Sequence, residues 1–319
     1  MSWLHSWAPV DSLSRSCPMV AAQPGPADAL VWQCLGQRPC RLTPQELARF
    51  FHPERPQDLR LALAERLGMQ NERGLQPCLA LIERYGPQPE LLMALGMTHQ
   101  PDARAALLRY LDDPDIDRLA LLRALAGWGR HVPLAVIREA LQHPGQAMRL
   151  AGMELLQFHA RLLTAPQLLR LAEPLLGDIR PPVAISAIRL LQRRNEPLLA
   201  GRLAHVLQAD PPEAVWEAAL HALGCIGTET SVTLLLDCWL ACRGTPGAVD
   251  VLHQLAAQFR HQHILRQRLE ELLQEGKITV DETAALLLEV NGQDLFADGR
   301  KGDLGSDQDQ PEKERSPSS

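Results

Sequence analysis

Aromatic side chains are scarce in this chain: Phe, Trp and Tyr together make up 4% of 319 residues, while 46% are hydrophobic. A core of that composition is aliphatic, and the dominance of Leu and Ala points to helices. Lysine is nearly missing as well, since Lys277, Lys301 and Lys313 are the only lysines among 32 basic residues. The other cations are arginines, whose planar fork can bond both oxygens of a carboxylate. A formal net charge of −6 argues against general nucleic-acid binding, which draws on many cationic contacts to phosphate.

Other absences narrow the function further. No apolar run is long enough to cross a bilayer, and residues 1–9 lack the basic and apolar segments of a secretory signal, so a cytoplasmic protein with no membrane span is expected. There is no Gly-rich phosphate loop, no G-x-S-x-G elbow and no H-E-x-x-H helix. The seven cysteines, at 17, 34, 40, 78, 225, 238 and 242, are odd in number and form no C-x-x-C pair. That pattern excludes a disulfide framework and suits thiols in a reducing compartment. His221/Cys225 and Cys238/Cys242 are each four apart, a spacing that zinc can use. Both ligand sets are incomplete, and Cys225 falls between Leu223 and Ile226 on the expected packed side, so no metal is expected.

What is present is a repeat. In residues 213–227, Val215, Ala218, Ala219, Ala222, Leu223 and Ile226 fall on one helical face. Pro211 and Pro212 precede this helix and Gly227 follows it, the usual asymmetry of helix ends. Leu223 has counterparts at Leu67, Leu95, Leu125, Leu156, Leu191, Leu255 and Leu287, with steps of 28, 30, 31, 35, 32, 32 and 32 residues along the chain. A period of that size with two helices per unit predicts an all-α solenoid of about eight helix pairs.

The chain divides accordingly. Residues 1–26 read as a flexible leader with a Trp3/Trp7 pair, and 27–71 as capping helices and a first repeat. Residues 72–291 form the regular array, and 292–319 a disordered polar tail whose composition cannot offset its ordering entropy. The sequence Thr43-Pro-Gln-Glu46 predicts a capping box. Within the array, helices are expected over 116–128, 134–142, 146–159 and 280–290, among others, with turns at Asp113-Pro114, His143-Pro144-Gly145 and Asp210-Pro211-Pro212.

The run Asp210-Pro-Pro-Glu-Ala-Val-Trp-Glu-Ala-Ala-Leu-His-Ala-Leu-Gly-Cys-Ile-Gly227 resembles the short HEAT-like repeat, and residues 112–129 resemble it more loosely. That repeat is strongly associated with the phycobilisome lyases, the E/F-type phycobilin lyases. The resemblance implies attachment, removal or isomerisation of a linear tetrapyrrole on a cysteine of a phycobiliprotein subunit. It also implies a phycobilin as substrate, no tightly bound cofactor, and a second HEAT-repeat subunit as a possible partner.

Two positions before each anchor leucine stand Glu65, Met93, Arg123, Glu154, Arg189, His221, His253 and Ala285. Arg123 to His253 form an unbroken ionisable column, which reads either as a solvated polar face or as a groove for an anionic ligand. In the second case Arg123 and Arg189, with His253, would hold carboxylates such as bilin propionates. His221 and Glu154 would move a proton, and Trp128 and Trp216 would wall a flat pigment. Trp216 also suits a gap between repeats. The alternative to a lyase is a non-catalytic scaffold whose repeat surface grips a partner protein.

Overall fold

The computed structural model describes residues 26–37 and 41–298. The leader with Trp3, Trp7 and Cys17, Cys40 before the capping box, and the tail beyond residue 298 lie outside them. The fold is an all-α helical-repeat solenoid, with no strand among the described residues. It consists of two compact units, one ending at Ala124 and the next beginning at Leu125.

In the first unit, α1 (Pro26–Gly36) is followed by three pairs: α2 (Pro44–Phe50) with α3 (Gln57–Gly68), α4 (Glu72–Tyr85) with α5 (Pro89–Met97), and α6 (Pro101–Arg109) with α7 (Arg118–Ala124). Helices α3, α5 and α7 stack in order, each carrying one copy of the apolar stripe. The capping box is formed as expected: the Thr43 hydroxyl accepts from the Glu46 amide at 3.2 Å, and the Glu46 carboxylate accepts from the Thr43 amide at 2.7 Å. Gly96, next to Leu95, lets α5 and α7 approach closely, since a Cβ there would lie 2.5 Å from the carbonyl oxygen of Ala124.

The second unit has five pairs: α8 (Leu134–Gln142) with α9 (Gln146–His159), α10 (Ala165–Leu176) with α11 (Pro181–Leu191), α12 (Pro197–Gln208) with α13 (Glu213–Ile226), α14 (Glu229–Cys242) with α15 (Gly247–Ala256), and α16 (Gln262–Gln274) with α17 (Val280–Asp298). The first members form one layer and α9, α11, α13, α15 and α17 the other, each helix packing on its neighbours within the layer and on its pair mate. Gly227 closes α13 at φ 57°, ψ 43°, the left-handed position that glycine takes without a Cβ clash. Asp210 turns the chain before Pro211 at φ 50°, a conformation that a short polar side chain tolerates.

The anchor register holds over most of the chain. Leu67, Leu95, Leu125, Leu156, Leu191, Leu223 and Leu255 are all at most 1% exposed. Leu287 departs from it: Leu286 is the buried residue, at 2% exposure, and the core position of α17 comes one residue early. Val280 and Leu288 of the same helix are exposed. Two boundaries also move. The expected helix over 116–128 breaks into α7 and a 3₁₀ stretch, Ala126–His131. Gly127 and Gly129 lower helix propensity there, and Trp128 takes a non-helical φ of −119°. At the other end α17 runs to Asp298, past the expected boundary at 291.

Candidate functional site

Glu154, Arg189, His221 and His253 sit on α9, α11, α13 and α15, four consecutive helices of one layer. Their shared offset from the buried leucine places all four on the solvent side, and all four are exposed. Arg123 is exposed too, on α7 of the first unit. The second unit therefore brings four of the five column residues onto one layer, as a polar face open to solvent.

The two tryptophans are placed differently from each other. Trp128 stands on the 3₁₀ stretch, half-buried, and not on a helix of the column layer. Trp216 is half-buried on α13, and its ring lies against the start of α15: a Cβ on Gly247 would come within 3.3 Å of it. It fills the space between adjacent repeats, the packing role that its spacing also allowed.

Cys225 corrects the expected register. It is exposed, and not on the packed side of α13. Leu223 and Ile226 bracket it in sequence and are buried, but residue 225 lies on the same outward face as His221, one turn earlier. Its Sγ is 3.5 Å from Nε2 of His221. The remaining described thiols differ. Burial pushes Cys78 up to about 12. Cys238 is pushed up to about 11, first by burial and then by its neighbour Cys242.

An open groove of about 460 Å³ lies elsewhere in the second unit, where the turn from α10 to α11 faces α12 and the turn into α13. Glu173, Ile179, Arg202, His205 and Asp210 line it, and none of them belongs to the ionisable column. Arg202 is ion-paired with Glu173. Asp178, also on its wall, has a side chain only 1% exposed. Burial by itself would raise its carboxyl, but the Arg180 amide, donating at 2.9 Å, and the Arg149 guanidinium more than compensate and hold it below the usual range. Arg149 also donates from Nε to the His143 carbonyl at 2.7 Å, so it joins the turn before α9 to the turn before α11.

Such repeat-to-repeat ties recur. His159 meets the Gly129 carbonyl, Arg194 donates to the carbonyls of Ala160 and Leu163, and Gln258 donates to the Gly224 carbonyl at 2.7 Å. In the first unit Arg60 pairs with the buried Glu90 at 2.9 Å. None of these was identified from the sequence. The one legible signal was an Asp in the turn ahead of a helix, shortly before proline: Asp178 three residues before Pro181 and Asp210 directly before Pro211, one repeat apart. These groups tie successive helices together through backbone carbonyls and through each other.

No family model matches this chain, and no curated protein matches it. Among solved structures, two engineered proteins known from crystal structures are similar in part. The first has 14% identity and a TM-score of 0.43, covering 77% of this chain and 76% of its own. The second has 16% identity and a TM-score of 0.31, covering 70% of this chain and 95% of its own. Likeness at this level carries no functional inference.

Proposed function

We propose that this protein is a helical-repeat scaffold whose exposed α9–α15 layer holds a polar segment of a partner protein. The observation that supports it is the openness of the ionisable column: Glu154, Arg189, His221 and His253 are all exposed, and the groove of the second unit is lined by other residues. A catalytic site gains much of its strength from excluding water, which an open polar face does not do. An extended repeat surface, by contrast, offers area and register without a pocket. Opposite charges on consecutive helices, Glu154 and then Arg189, suit a partner segment of mixed charge.

A second reading has one observation in its favour. The column puts a carboxylate, an arginine and two histidines on consecutive helices of one layer, the groups that a phycobilin lyase would need for a propionate and for proton transfer. Under it, Arg189 holds a propionate, and His221 and Glu154 serve as acid and base.

One paired experiment separates the two. A photo-crosslinking residue is placed at position 189 and, as a control, at exposed position 201 on α12, and the cells that make the protein are irradiated. The scaffold reading expects a discrete protein adduct from 189 and none from 201, with adduct formation reduced by Glu154→Arg or His253→Glu. Purified protein is then titrated with a free linear tetrapyrrole by absorbance. Saturable pigment binding that weakens at least tenfold in Arg189→Gln, about 1.4 kcal/mol, would displace the scaffold reading in favour of the lyase.

A further inference from the structure

We propose that His221 and Cys225 form a two-donor site for a soft divalent cation of the zinc group on the exposed face of α13. The pair is four residues apart on one helix, so both side chains rise from the same face one turn apart. Their donor atoms, Nε2 and Sγ, are 3.5 Å apart. Zinc takes sulfur at about 2.3 Å and nitrogen at about 2.0 Å, and a tetrahedral angle between those bonds sets the two donors about 3.5 Å apart. The pair therefore already stands at the bite of a tetrahedral ion. Both residues are exposed, so an ion reaches them without opening the fold.

The position on the helix decides between a cation site and a nucleophilic thiol. Cys225 is in the last turn of the 14-residue α13, which ends at Ile226. The C-terminal end of a helix carries partial negative charge, which favours a bound cation. A reactive cysteine belongs at the opposite end.

Binding replaces the thiol proton: Cys–SH and M²⁺ give Cys–S–M⁺ and a proton released to solvent, while neutral His221 donates its Nε2 lone pair and keeps its proton on Nδ1. Affinity accordingly rises with pH. No group of three or more His, Cys, Asp and Glu donors is assembled among the described residues. The ion at this pair thus keeps two positions for water or for donor atoms of a bound protein. The site stands independently of the scaffold reading.

The test uses Cd²⁺ as the probe, because its bond to thiolate produces an ultraviolet charge-transfer band. The full chain carries Cys238→Ser and Cys242→Ser, which removes the other pair of thiols four apart, and is compared with the same chain bearing Cys225→Ser. The expected result is a saturable difference band, one equivalent of Cd²⁺ deep, with release of one proton per ion in weak buffer. His221→Gln should weaken that binding at least tenfold, and Zn²⁺ should compete for it. Unchanged circular dichroism and thermal melting in both variants confirm intact helices, as expected for two exposed side chains. No difference band, or equal Cd²⁺ affinity in the His221→Gln chain, overturns the site.

Discussion

Nε2 of His159 lies 2.8 Å from the carbonyl oxygen of Gly129, thirty residues earlier in the chain. His159 ends α9 and is 8% exposed, and Gly129 is a buried residue of the 3₁₀ stretch on which α9 packs. The contact requires Nε2 to carry the hydrogen, because a carbonyl can only accept. It also requires glycine at 129, where a Cβ would sit 2.3 Å from the Phe158 ring. Two unrelated residue choices thus serve one junction.

Replacing His159 with Leu keeps the volume roughly and removes the donor, leaving the Gly129 carbonyl only its 3.1 Å bond from the Val132 amide. That costs about 0.5–1.5 kcal/mol, and His159→Gln, which can donate from its amide, should recover part of it. Urea unfolding of the three chains checks this. Equal midpoints for the histidine and leucine forms would show that the carbonyl is satisfied without the ring.

Asp178 makes stability depend on acid pH, and the sign follows from its surroundings. Its folded pKa is below the ordinary 3.8, so the unfolded chain takes up its proton first as pH falls. The stabilisation is complete above 3.8 and disappears as pH drops through the folded value. Asp178→Asn should cost about 1.5–3 kcal/mol at neutral pH, where it loses charge-assisted bonds from Arg149 and Arg180. The gap between wild type and variant should stay constant above pH 4 and narrow below it. A gap independent of pH would mean that the carboxylate charge contributes nothing.

Much of the scaffold could be read from the sequence. Helices α8 and α9 have the expected bounds, 134–142 and 146–159, because Pro133 and the turn His143-Pro144-Gly145 mark them. The buried leucine column and the exposure of the ionisable column share one cause, helical periodicity, which needs no tertiary information. What stayed hidden depends on stacking. Arg149 and Asp178 are 29 residues apart, and nothing local announces that they meet. The break at Ala126–His131 required tertiary packing of Gly129 under Phe158 to settle it. Cys225 was misplaced because flanking apolar residues suggested a packed position, although one residue's step of about 100° turns a side chain well away from its neighbour. The function was legible only as two alternatives, since the same exposed column suits a partner's polypeptide or a pigment's carboxylates.

Glycines at two positions should respond to alanine with opposite signs. Gly201 is exposed within α12, and a Cβ there meets no atom within 4 Å. Alanine at 201 lowers the conformational freedom of the unfolded chain and improves helix propensity, so it should stabilise by about 0.5–1 kcal/mol. Gly96 gains the same helical preference but at a closed junction. Its Cβ would fall 2.5 Å from the Ala124 carbonyl oxygen and 3.1 Å from the Ala124 Cα, both backbone atoms that move only if α7 moves. Overpacking of this kind costs about 1–3 kcal/mol, which exceeds the propensity gain. Gly96→Ala should therefore lower the melting temperature and Gly201→Ala should raise it, each measured by circular dichroism against the parent chain. A stabilising Gly96→Ala would show that α5 and α7 can separate at no net cost, and the close approach would then lose its part in setting the repeat spacing.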